Sequence, residues 1–223
     1  MGTCFFVSDL HGSEDRYRKL FHAVEKEKPS AVFMGGDLFP SGLGAIARVR
    51  ETHDDFFKSV VASGFSRLSE TMGAAYPSVF LILGNDDGRF EEQRVDALGN
   101  CALWSHMHGR CVRWEAYAIY GYAYVPPTPF MLKDWERYDV SAYLDPLCIA
   151  PEDGWHSTPV PKTALKHETI QNDLQTLVQA TDLSRAILLF HTPPYNTNLD
   201  RAALDGKKVD YVDLDVHVGS IAV

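Results

Sequence analysis

The sequence has no long hydrophobic run, no excess of positive charge and few cysteines, and each shortage narrows what the chain can do. No apolar stretch approaches the ~20 residues that a membrane-spanning helix requires. The first apolar run, Cys4-Phe5-Phe6-Val7, is short and leads straight into Asp9, so no secretory leader is expected. Phe6 stands where the myristoylation pattern needs Ser or Thr. Cys4, Cys101, Cys111 and Cys148 are scattered and form no Cys-x-x-Cys pair. That spacing fits a reduced, cytoplasmic setting better than a disulfide framework. Against 21 Lys and Arg stand 30 Asp and Glu, for a formal charge of −9. A nucleic-acid backbone is therefore a poor match as partner, because its binding needs a basic footprint. A small phosphate stays compatible, since bound cations invert the local field. There is no internal repeat, no low-complexity tract and no prominent Ser or Cys nucleophile motif.

What is present is ordinary in bulk and specific in detail. A chain of 223 residues, 45% apolar and 23% charged, can bury one sizeable core. Four apolar runs of strand length each end in a polar motif. Asp9-Leu10-His11 follows Cys4–Val7, and Gly35-Gly36-Asp37 follows Ala31–Met34. Gly84-Asn85-Asp86-Asp87 follows Val79–Leu83, and His191 follows Ala186–Phe190. All four runs read as buried strands, with Cys4 inside the first. In α/β sheets ligands bind at the carboxyl edge of such strands. Asp, His and Asn side chains form a mixed oxygen and nitrogen set suited to Mn, Fe or Zn.

Between the runs lie helical patterns. Tyr17, Leu20, Phe21 and Val24 predict a helix over about 14–27. A second is expected over about 53–73, opened by a Thr52/Asp55 capping box, with Phe56, Phe57, Val60, Val61, Phe65, Leu68 and Met72 as its apolar stripe. A third is expected over about 88–99, where Asp87 could cap it. Short strands are expected at Ala102–Trp104, Cys111–Trp114 and Ala118–Tyr122. Residues 126–161, rich in Pro and aromatics, read as one long loop near the site. A helix over about 165–181 precedes the strand that presents His191.

The four motifs in this order resemble the calcineurin-like metallophosphoesterase family. The resemblance implies an α/β fold, a four-layer αββα sandwich with two packed mixed sheets. It implies two divalent ions, with Asp9 and His11 on one, Asn85 and His191 on the other, and Asp37 bridging them. A carboxylate suits that role because two dications about 4 Å apart need anionic charge between them. The implied activity is hydrolysis of phosphate esters by a hydroxide bridging the metals, and phosphodiesters are the substrates expected of this chain. The partner implied is a small phosphorylated substrate.

The chain departs from the family twice. Where a His often follows the Asn and serves as general acid, this sequence has Asp86. Asp86 is the candidate catalytic residue at that position, and it could equally bind solvent, orient a neighbour or sit in a turn. A carboxyl near two dications stays ionised and cannot protonate a leaving group. The family's last motif, Gly-His-x-His, is absent, and the chain ends on Ile221-Ala222-Val223. A single domain over 1–223, cut short or lacking its last strand, is the expectation. His217, in Asp215-x-His217, repeats the spacing of Asp9-x-His11 and could fill a ligand gap or serve a surface role. The missing motif also motivates an alternative, a non-catalytic binding module of the same fold. His106 and His108 lack an acidic companion in the sequence and are not expected to be ligands. Trp135 and Tyr138 could touch substrate or anchor their loop. His22, His53, His156 and His167 are expected to be exposed.

Overall fold

The computed structural model describes residues 2–42, 44, 55–99, 102–179, 181–201, 208–209, 212–213 and 217–223. Cys101, Thr52, His53 and Asp215, all singled out above, lie outside them.

Two sheets make the centre. The first has β1 (Cys4–Val7), β2 (Ala31–Gly35), β3 (Ser78–Ile82) and β4 (Ser105–His106) in that order. Every pair in it is parallel. The second has β5 (Arg110–Trp114), β6 (Tyr117–Tyr122) and β7 (Ala186–Phe190). There β5 runs antiparallel to β6 and β6 parallel to β7. A small hairpin, β8 (Lys208–Val209) and β9 (Val212–Asp213), stands apart. The two main sheets meet where β2 and β3 pack on β6 and β7.

Position in the sheet explains the strand sequences. The central strands β2 and β3 are buried almost throughout, which suits their unbroken apolar runs. The edge strand β1 is different. Cys4 is exposed and Phe6 is 64% exposed. The reading of β1 as a buried strand is thus corrected: among the described residues no strand covers its outer side in the first sheet.

The helices fall near their expected places. Helix α1 (Glu14–Glu27) buries Tyr17, Leu20, Phe21 and Val24. Ser13 caps its start by accepting from Arg16 N–H, and Lys28 ends it with φ 48°. A π-helical stretch (Phe57–Ala62) runs into α2 (Ser63–Met72). Phe57, Val61, Phe65 and Leu68 turn inward, each such side chain adding roughly 1.5–3 kcal/mol on burial. Asp55 accepts from Lys58 N–H at 3.4 Å at the head of this unit. A short 3-10 turn (Arg89–Glu91) leads into α3 (Glu92–Gly99).

Two expected elements come out otherwise. Ala102–Trp104 is not a strand. Ala102 has φ 63°, and Trp104 is a core anchor whose indole N–H donates to Val95 O at 2.9 Å. The expected 165–181 helix divides into α4 (Lys162–His167) and α5 (Ile170–Val178). Thr169 divides them, because its side chain accepts from Asn172 N–H and starts a new helix.

Residues 126–161 contain no helix or strand, yet they are tied down. Lys133 is fully buried, paired with Glu136, and donates to Thr128 O at 2.7 Å. Asp134 accepts from Arg89 N–H at 2.7 Å and Ser157 N–H at 2.8 Å. Trp135 and Tyr138 are buried, so both act as loop anchors. No helix among the described residues is long and apolar enough to cross a membrane.

Candidate metal centre

The exits of β1 and β2 keep pairing beyond the strands. Asp9 N–H donates to Gly36 O at 3.0 Å, and His11 N–H to Asp37 O at 2.8 Å. This lays Asp9, His11 and Asp37 side by side. Their φ angles are 56°, 45° and 53°, all in the left-handed region. Each costs about 1 kcal/mol for a residue with a Cβ. Such strain persists where surrounding structure enforces it, and functional sites are a frequent place for it.

Donor atoms of Asp9, His11 and Asp37 all lie within 4.8 Å of one another. His11 Nε2 is 3.8 Å from Asp9 Oδ1 and 3.8 Å from Asp37 Oδ2. On the other side of the same carboxylate, His191 Nε2 is 3.5 Å from Asp37 Oδ1 and 3.0 Å from Asn85 Oδ1. The five residues singled out as ligands from sequence thus converge on Asp37, one imidazole to each of its oxygens.

Each imidazole is oriented from behind. His191 Nδ1 lies 2.7 Å from Gly35 O, a pure acceptor, so Nδ1 carries the proton and Nε2 turns its lone pair inward. His11 Nδ1 lies 3.3 Å from Asp86 Oδ2. Asp86 also accepts from Ser41 Oγ at 2.7 Å, and its own N–H donates to Asp37 Oδ1 at 2.9 Å. Asp86 therefore stands behind His11 and beside Asp37.

Glycines make the approach possible. A Cβ on Gly84 would sit 2.3 Å from Asp37 Oδ1, and one on Gly36 would sit 2.5 Å from His191 Nδ1. Gly36 also has φ +100°.

Asp87 departs from its sequence reading, since it does not cap the following helix. It is fully buried, and accepts from Phe39 N–H at 2.8 Å, Gly84 N–H at 2.9 Å and Leu38 N–H at 3.1 Å. It ties the loop carrying Asp37 to the loop carrying Asn85.

The donor set is short of positive charge. Burial pushes the Asp37 carboxyl above the usual carboxylate range, against the pull of His191, the Asp86 amide and His11. Burial, with Asp37 nearby, pushes Asp87 up to about 8. Among the described residues no Lys or Arg forms an ion pair with either. With the ring proton on Nδ1, the lone pairs of His191 Nε2 and Asn85 Oδ1 face each other at 3.0 Å, beside an Asp37 carboxylate whose Oδ1 accepts from the Asp86 amide. Bound cations satisfy both conditions, so the residues present fit divalent metal ions.

The remaining candidates lie elsewhere. His217 Nδ1 is 2.7 Å from Asp200 Oδ1, and its ring packs edge-on against Tyr195. His106 does have an acidic companion, contrary to expectation: Asp96 Oδ1 is 3.0 Å from its Nδ1. The two stand ten positions apart in sequence, which hides the pair. His22 and His167 are exposed as expected. His156 is not, its Nε2 lying 2.8 Å from Pro151 O.

A parallel sheet, a second mixed sheet and a histidine–carboxylate cluster at their shared edge define an α/β protein with a candidate metal centre. The chain belongs to the calcineurin-like phosphoesterase family, whose profile matches residues 3–214. No curated protein sequence matches it. One solved crystal structure aligns over 100% of this chain and 78% of its own, at 15% identity and TM-score 0.55. The crystal structure of TT1561 of Thermus thermophilus aligns over 89% of this chain and 71% of its own, at 17% identity and TM-score 0.50. At such identities the likeness is one of fold.

Proposed function

We propose that the chain hydrolyses phosphodiesters at a two-metal centre divided by Asp37. The observation that carries this is the pair of imidazoles on opposite oxygens of one carboxylate, His11 at 3.8 Å and His191 at 3.5 Å. Asp9, His11 and Asp37 would hold one ion, and Asp37, Asn85 and His191 the other. The ions, when bound, supply Lewis acidity toward the phosphate oxygens and lower the pKa of water.

The chain's own residues then do the positioning. Gly35 O and Asp86 fix the two imidazoles with Nε2 inward. Asp87 holds the two loops at a constant spacing. Asp86 is engaged as an acceptor by Ser41 and faces His11, so it is not placed to give a proton to a leaving group. Leaving groups that depart unprotonated are favoured, which points to activated or aryl phosphodiesters. A small phosphorylated compound suits the acidic chain better than a nucleic acid.

The test compares bis(p-nitrophenyl) phosphate with p-nitrophenyl phosphate at saturating Mn2+. The diester should turn over faster and lose turnover on chelation. Absence of metal-dependent turnover on either compound would reduce the chain to a binding module of the same fold.

A further inference from the structure

A second cavity lies under α5, on the side of β6 that Tyr122 and Tyr124 face. Its volume is about 550 Å3, within the range of small-molecule sites. None of Asp9, His11, Asp37, Asn85 or His191 lines it. Leu177 and the edges of the buried Tyr122 and Tyr124 give it apolar lining, and Arg89, Arg137 and His108 give it polar lining. Thr176 stands exposed at the rim.

The polar walls are built rather than incidental. The Arg137 guanidinium lies 4.1 Å over the Tyr124 ring and is fixed by Asp173 at 2.5 Å and Glu168 at 2.7 Å. The Arg89 guanidinium lies 4.9 Å over Trp135, and its Nη1 donates to Tyr124 Oη at 2.8 Å. Its Nε is 3.3 Å from Glu92, which leaves Nη2 without a partner among the described residues. His108 Nδ1 accepts from Ala123 N–H at 3.1 Å, so the ring proton sits on Nε2, which no described residue accepts. Burial, with His106, Arg89, Arg137 and Arg110 nearby, holds His108 down to about 3 and keeps it a neutral donor. Of the cavity's charged lining, two side chains are guanidiniums and one, Asp173, is a carboxylate. Glu92 and Glu168 compensate these guanidiniums from outside the lining, so the feature that suits an anion is the pair of donors left over, Arg89 Nη2 and His108 Nε2–H.

We infer that this cavity is a second ligand site, separate from the metal centre, and that it takes a small organic phosphate of nucleotide size. The phosphate would meet Arg89 Nη2 and His108 Nε2–H, and the organic body would lie along Leu177 and the tyrosine edges beneath Thr176. This inference does not depend on the metal centre's activity.

Calorimetric titration of the Mn-loaded full chain tests it, with AMP, adenosine and inorganic phosphate as separate probes. AMP should saturate one site beyond any metal-centre binding, and that binding should persist in Asp37→Ala. It should weaken at least about tenfold in Arg89→Gln and in Thr176→Trp, a rim variant that fills the mouth without touching the core. Thermal melts confirm that each variant is folded. Binding that vanishes in Asp37→Ala and is unmoved in Thr176→Trp would assign AMP to the metal centre and overturn the inference. So would no saturation below about 1 mM AMP. Adenosine binding as tightly as AMP would overturn the anion assignment, and phosphate alone binding as tightly would overturn the organic body.

Discussion

The two imidazoles that flank Asp37 are held in opposite ways. His191 leaves the edge strand β7, yet its side chain is 9% exposed and locked at 2.7 Å to a backbone carbonyl. His11 follows β1, its side chain is 42% exposed, and its partner Asp86 is 33% exposed at 3.3 Å. Asp9, on the His11 side, is 59% exposed. The site thus has a closed half and an open half divided by one carboxylate. Lost or loosened contacts should matter more in the closed half, where water cannot easily replace a ligand. The open half is the side from which substrate and solvent can arrive.

The comparison can be broken by substitution on each side. His191→Ala should have the largest effect, lowering kcat/KM by about 10²–10³-fold, because it removes the imidazole of the closed half. His11→Ala should lower it less, by about 10–100-fold, since exposed Asp9 and solvent remain to fill the position. Steady-state kinetics on bis(p-nitrophenyl) phosphate measure both, and a larger loss for His11→Ala would reverse the assignment of halves. Gly84→Ala should destabilise the fold by about 1–3 kcal/mol, because its Cβ must displace Asp37 or His191. A Tm equal to that of wild type would show that the closed half is looser than described. The smallest effect is expected for Asp86→Asn, which keeps the shape behind His11 and removes a charge. Mn affinity should fall about tenfold or less. Asp86→His should raise turnover of alkyl esters more than of nitrophenyl esters, because it places a group that titrates near neutral pH beside the site. Equal gains on both would remove position 86 from leaving-group chemistry.

The same division governs what could be read from sequence. Asp37 and Asn85 were legible because β2 and β3 are central parallel strands, whose unbroken apolar runs point at their own ends. His191 and Asp9 followed from the same pattern, although β1 proved to be an exposed edge. Burial on an edge strand depends on neighbours that periodicity does not encode. Asp87 was not legible. Its three donors come from Leu38, Phe39 and Gly84, and two of these are brought to it only by the β2–β3 pairing. Trp104 reads as a strand residue because an apolar triplet cannot distinguish a strand from a core anchor. The break at Thr169 is written in the sequence as a capping residue, but the apolar pattern runs across it. The Asp86–His11 contact joins the exits of β3 and β1, so only the folded chain shows what the unusual Asp is near.

The central claim is that Asp37 joins two ion sites. Mn content measured by elemental analysis, in wild type and in Asp37→Asn equilibrated at the same free Mn2+, tests it most directly. The account predicts about two ions per chain in wild type. It predicts the loss of at least one in Asp37→Asn, with the fold intact by circular dichroism. Full occupancy of both sites in Asp37→Asn would contradict it.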